Sequence, residues 1–159
     1  MKDYSAESIR NIGLVGHGSS GKTTLTSALL FDTGVTSRLT KVEAGNTVTD
    51  YDPDEIERRI SINSALCHME WRNHKINLID CPGYTNFLWD TRASLRAVDA
   101  GMVLICGVAG VEVGTEKTWE MLEEFSLPRI LVINKMDREN SDFLRAMDSI
   151  QQFFGRKAV

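Results

Sequence analysis

The chain has 159 residues, 42% of them hydrophobic, which suffices for one domain with a proper core. Lysine and arginine total 18 against 22 aspartate and glutamate, a net charge of −4, and no basic run is longer than a doublet such as Arg58-Arg59, so direct nucleic-acid binding has no electrostatic footing. Cys67, Cys81 and Cys106 lack paired spacing and His17, His68 and His74 are scattered, which argues against disulfides and zinc. The polar N-terminus and the absence of a long apolar run argue against a signal peptide or membrane span, so the expected setting is the cytoplasm.

The apolar run Ile9 to Val15 reads as a buried strand, and Lys22 to Phe31 reads as a helix with Leu25, Ala28 and Leu29 on one face. Between them, Gly16-His17-Gly18-Ser19-Ser20-Gly21-Lys22-Thr23 fits G-x-x-x-x-G-K-S/T at every required position. A strand that turns into a helix around glycines aims several backbone N–H groups at one point, and the helix N-terminus adds partial positive charge, so phosphates bind there. Lys22 is expected on the outer phosphates, Thr23 on the Mg²⁺ that bridges them, and Thr24 beside them in the first helical turn.

Asp32 to Arg59 shows no sustained apolar periodicity and holds an acidic cluster, Asp50 to Asp54, around Pro53; a structureless stretch this long is usually functional. Strands are expected at Ser64 to Trp71 and Lys75 to Ile79, joined by a hairpin turn at Asn73-His74 and therefore antiparallel. The second runs into Asp80-Cys81-Pro82-Gly83-Tyr84. An apolar strand that delivers an Asp and then a Pro-Gly turn places the Asp80 carboxylate near Mg²⁺ and lets the Gly83 N–H face the γ-phosphate. A helix from Tyr84 to Val98 follows, with Phe87, Thr91, Leu95 and Val98 on one face and Trp89, Arg92 and Arg96 toward the other.

Gly101 to Gly107 is a third apolar strand of the kind buried on both faces of a parallel sheet. Thr115 to Phe125 reads as a helix burying Trp119, Leu122 and Phe125 and stopped by Pro128. Arg129 to Ile133 is a strand that delivers Asn134-Lys135-Met136-Asp137 to the phosphate-loop end of the sheet. An Asp carboxylate there can accept from N1–H and the 2-amino group of guanine, whereas adenine offers neither donor and would leave the carboxylate unpaired. The last helix, Asp142 to Phe154, is expected to bury Phe143, Met147, Ile150 and Phe154. This alternation is that of a mostly parallel, doubly wound α/β sheet with one antiparallel strand.

Taken together, Gly16 to Thr23, Asp80 to Gly83 and Asn134 to Asp137 resemble the GTP-binding domain of translational GTPases, a Ras-like P-loop NTPase fold. Longer stretches, Asp50 to Glu55, Arg59 to Ile62, Glu70-Trp71-Arg72, Lys75 to Asp80, Gly110 to Lys117 and Asn134 to Asn140, look like elongation factor G and especially its divergent bacterial paralogues. The resemblance implies GTP/GDP and Mg²⁺ as ligands, with Ser61 ending switch I as the second hydroxyl on the metal, switch II starting at Asp80, and Gly83 sensing the γ-phosphate. It also implies that hydrolysis collapses both switches and so changes how following domains sit on the ribosome.

Four positions depart from the family pattern: Ser61 stands where Thr is usual, Arg59 where Gly precedes the isoleucine, Ser19 where the loop usually has Asp, and Tyr84 in place of the usual catalytic His. A histidine can carry a proton near neutral pH, while a tyrosine offers only a neutral hydroxyl, so Tyr84 is expected to orient the attacking water with slower hydrolysis. The expected catalytic set is Lys22, Gly83 and Tyr84, and the guanine set Asn134, Lys135 and Asp137. The resemblance also implies a further strand, a closing helix, a third guanine element and later domains beyond residue 159. The chain is thus expected to be an incomplete G domain whose last strand is an uncovered edge, marginal or aggregation-prone alone and monomeric when complete. The main functional expectation is a GTPase coupled to ribosomal translocation; the alternative is a slowly hydrolysing ribosome protection or dissociation factor.

Overall fold

The computed structural model describes residues 3–156. Five strands form one sheet: β1 (Ile9–Gly16), β2 (Ala65–Trp71), β3 (His74–Asp80), β4 (Ala100–Cys106) and β5 (Arg129–Asn134), in the order β2-β3-β1-β4-β5. β1 is parallel to β3 and β4, and β4 is parallel to β5; β2 alone is antiparallel, paired with β3. The C-terminal ends of β1, β3 and β5 therefore emerge on one side of the sheet, which gathers the three sequence motifs there.

Alternation along the strands splits the core in two. Leu14, Leu78 and Leu104 are fully buried on one face with Leu30, beside the buried Cys67 and Met69, while Val15, Val103 and Ile105 are fully buried on the other with Leu95, Leu122 and Ile150. Burying each such side chain contributes roughly 2 kcal/mol. Helix α1 (Lys22–Asp32) packs on β1, β2 and β3; among the helices of the other face, α3 (Leu88–Ser94) touches α4 (Val113–Glu124), which lies on β1 and β4. The last helix, α5 (Phe143–Phe154), sends Ile150 into the second core.

The structure revises four local expectations. The hairpin turn is Arg72-Asn73, both with positive φ (45° and 64°), so His74 already belongs to β3. Two positive φ values match the right-handed twist of the flanking strands, and asparagine tolerates one of them readily. The stretch expected from Tyr84 to Val98 is a short α-helix between two 3-10 turns, Thr85–Phe87 and Leu95–Ala97.

Phe143 is 53% exposed, because it begins α5 just after the N-cap Asp142, whereas Ile150 is fully buried and Met147 and Phe154 are half-buried. Most informative is Asp32 to Arg59, which contains helix α2 (Pro53–Arg58). Asp52 accepts from the Asp54 N–H, Glu55 reaches back to the Asp52 N–H, and Pro53 occupies the first turn, so all the signals of a capped helix are present. Apolar periodicity does not register them, because this helix has no apolar face to repeat.

Among the described residues β5 lies at one end of the sheet, and Ile130 on it is 57% exposed. Beside it Trp119 stacks on Phe154 with centroids 4.0 Å apart and Arg129 lies over the same indole at 4.2 Å. Glu55 itself is 1% exposed, and its Oε1 accepts from the backbone N–H groups of Ile62 and Asn63 at 2.9 Å each. Glu55→Ala should therefore cost a few kcal/mol, since three backbone donors, those of Asp52, Ile62 and Asn63, lose their acceptor. It should also speed trypsin cleavage after Arg58 and Arg59, read by mass spectrometry of the native protein.

Candidate nucleotide-binding site

The loop between β1 and α1 and the turn after β3 close on one another around Lys22. Its ammonium is nearly buried, donates to the carbonyls of His17 (2.9 Å) and Gly16 (3.2 Å), and has its pKa lowered by burial against the opposing pull of Asp80, Cys81 and Asp50. A cation desolvated in this way gains most from an arriving anion. Gly83 must be glycine: a Cβ there would lie 2.5 Å from the Gly16 carbonyl and 2.7 Å from the Gly18 N–H and would collide with the Lys22 ammonium.

A run of oxygen donors lies next to Lys22. Thr23 Oγ1 is 3.0 Å from Ser61 Oγ, and Ser61 donates to Asp50 at 2.8 Å. Asp80 Oδ2 accepts from Thr49 Oγ1 at 2.8 Å, while its Oδ1 is buried with no partner. An orphaned carboxylate oxygen beside two hydroxyls is the hard, all-oxygen donor set that suits Mg²⁺. Among the described residues no three His, Cys, Asp or Glu side chains could hold a metal by themselves, so a cation here needs oxygens from its ligand, as Mg²⁺ with phosphates ordinarily does.

The cleft that these elements enclose, about 220 Å³, is walled by Gly18, Ser19, Gly21, Lys22, Thr23, Thr24, Ser61, Gly83, Tyr84 and Lys135 from the expected set. The remaining members lie behind or beside it. Gly16 is buried under the Leu104 carbonyl, and Ser20 is buried with its hydroxyl unpartnered. His17 turns away toward α4, accepting from the Gly114 N–H at 3.1 Å with its Nε2 3.5 Å from Glu112. Asn134 Nδ2 donates to the Ser20 carbonyl at 2.9 Å and so pins β5 to the phosphate loop. Asp137 is exposed beyond the wall.

Residues that the motifs do not announce also belong to the cleft: Val42, Glu43, Asp50, Arg59 and Arg138 line it, and Thr49 holds Asp80. Arg59 is the C-cap of α2 with φ 56°, a left-handed conformation that glycine would adopt without cost. The available signal for Asp50 is its place just before the capped helix. Arg138 falls inside the stretch Asn134 to Asn140 that carries the family resemblance, though it stands outside the guanine motif itself.

Burial raises the Asp80 carboxyl to about 6, with the Thr49 and Thr23 hydroxyls and Lys22 opposing that shift. The folded chain then holds this proton more tightly than the unfolded one, whose carboxyl titrates near 4. Its stabilising contribution is present below about pH 4 and lost as pH rises through about 6. In metal-free protein Asp80→Asn should thus raise stability by about 2–3 kcal/mol at pH 7 and change it little at pH 4, measured by urea unfolding at both values.

A family model described as the elongation factor Tu GTP binding domain matches residues 7–159. Elongation factor G of Granulibacter bethesdensis is 43% identical over 152 residues, covering 96% of this chain and 22% of that protein. The mitochondrial ribosome-releasing factor 2 of Candida albicans is 42% identical over 159 residues, covering 100% of this chain and 20% of the relative. A crystal structure of a Thermus thermophilus protein superposes with a TM-score of 0.89 at 40% identity, over 92% of this chain and 22% of the other. The chain spans about a fifth of the length of these relatives. With the family model covering nearly all of it, this chain belongs to the family of elongation factor Tu GTP binding domains.

Proposed function

We propose that this domain binds and hydrolyses GTP in an elongation factor G-like translation factor, its switch segments coupling the nucleotide state to the ribosome. The observation that carries the reading is the buried Lys22 ammonium, caged by two loop carbonyls beside the unpartnered Asp80 Oδ1. A site of that kind needs an anion and a cation together, and a nucleotide with Mg²⁺ supplies both.

In this reading Lys22 and the backbone N–H groups of the loop from Gly16 to Thr24 hold the phosphates, and the Gly83 N–H takes a γ-phosphate oxygen. Thr23, Ser61 and Asp80 would hold Mg²⁺, which when bound neutralises charge on the phosphates. Tyr84 orients the attacking water. Asn134 fixes the base-side strand, and Lys135 and Asp137 take the guanine, with Asp137 turning inward to meet it. No covalent intermediate is needed, because positioning and charge neutralisation suffice for phosphoryl transfer to water.

The names of the relatives admit a second outcome, ribosome release instead of translocation. Tyr84 favours it, since a hydroxyl in the water-orienting position suits a slower, binding-led cycle.

Binding of labelled GDP with excess Mg²⁺, competed with unlabelled GDP and ATP, tests the guanine reading. GDP should displace the label and ATP should not, and Asp137→Asn should lose affinity or shift it toward xanthine nucleotides. Equal displacement by ATP would refute it.

A further inference from the structure

Ser19 in the phosphate loop and Tyr84 after β3 are 65 residues apart, yet their hydroxyl oxygens are 2.9 Å from each other. Two features of the loop allow this. A Cβ on Gly18 would lie 2.7 Å from Cε1 and Cζ of Tyr84, so the ring rests directly on the glycine backbone. Ser19 has φ 61°, a left-handed conformation that costs a residue with a side chain about 1 kcal/mol or more. Strain in a loop that lines the cleft is therefore maintained, and the hydroxyl so presented meets the Tyr84 phenol.

We propose that Ser19 is the positioning residue of Tyr84. Its hydroxyl fixes the phenol over Gly18 at the phosphate end of the cleft, so that the two strand ends are joined by one side-chain bond. The Tyr84 hydroxyl has one donor and two acceptor sites, and the bond to Ser19 uses only one of the three. The others stay available for a water held against the Gly83 turn. Both residues line the same cleft as Lys22, which puts the oriented phenol where phosphate chemistry would occur. Without this bond the phenol is held only by the contact of its ring with Gly18, and its orientation is less well fixed at each turnover.

The consequence for rate rests on the GTP-hydrolysis reading, so the test has two readouts, both in the full-length protein. In steady-state GTP hydrolysis, Ser19→Ala should lower kcat about tenfold, the worth of one neutral hydrogen bond, with KM and GDP affinity unchanged within about twofold. Tyr84→Phe should lose at least as much, since it also removes the hydroxyl that meets the water, and the double variant should lose no more than Tyr84→Phe alone. Independently, nitration of Tyr84 by tetranitromethane, followed by peptide mass spectrometry, should accelerate in Ser19→Ala, because the ring edge seated on Gly18 is released.

An unchanged kcat or an unchanged nitration rate in Ser19→Ala, or additive losses in the double variant, would overturn the proposal. A wild-type protein that does not hydrolyse GTP would instead remove the functional reading and leave the Ser19–Tyr84 bond to be judged by nitration alone.

Discussion

A lysine ammonium taken out of water and held by two backbone carbonyls is the constraint on which the rest of this structure depends. Lys22 reaches its position because the loop after β1 turns tightly enough for the carbonyls of Gly16 and His17 to face it. The turn after β3 closes the other side, and it can do so only because position 83 carries no side chain. Acidic neighbours, Asp80 and Asp50, draw the charge back up against burial. The sheet order puts β1 between β3 and β4, so both walls of this cage are delivered by adjacent parallel strands and their spacing is set by the sheet ladder.

A second layer of order comes from polar side chains with no apolar core beneath them. The segment from Thr40 to Ser61 is held by Thr40 on Ser27, Thr49 on Asp80, Ser61 on Asp50 and Thr23, and Glu55 on its own chain. Buried polar networks of this kind are specific but fragile, since each lost partner leaves another group unpaired. In the proposed function this segment changes state with the nucleotide, and such a construction suits that role.

Legibility followed the same division. Strands β1, β3, β4 and β5 could be read from apolar runs, and the phosphate loop, the Asp80 turn and the Asn134 tetrapeptide from residue types alone, because local chemistry dictates them. Helix α2 was readable in principle from Asp52-Pro53-x-Glu55, but periodicity does not register a helix whose buried face is a single glutamate. The contacts Thr49–Asp80 and Ser19–Tyr84 join residues 31 and 65 positions apart, and no local pattern encodes them. Phe143 went astray because spacing alone cannot say where along a helix the sheet stops covering it. Asp137 is legible from its tetrapeptide, and its side chain is exposed outside the cleft wall.

If anion capture by Lys22 and the loop around it organises the site, affinity should reside in the phosphates. Calorimetric titration of the full-length protein with GDP and with guanosine, each with excess Mg²⁺, measures this directly. Tight binding of GDP with no measurable heat from guanosine is expected; comparable affinity for both would contradict a site built around the phosphate loop.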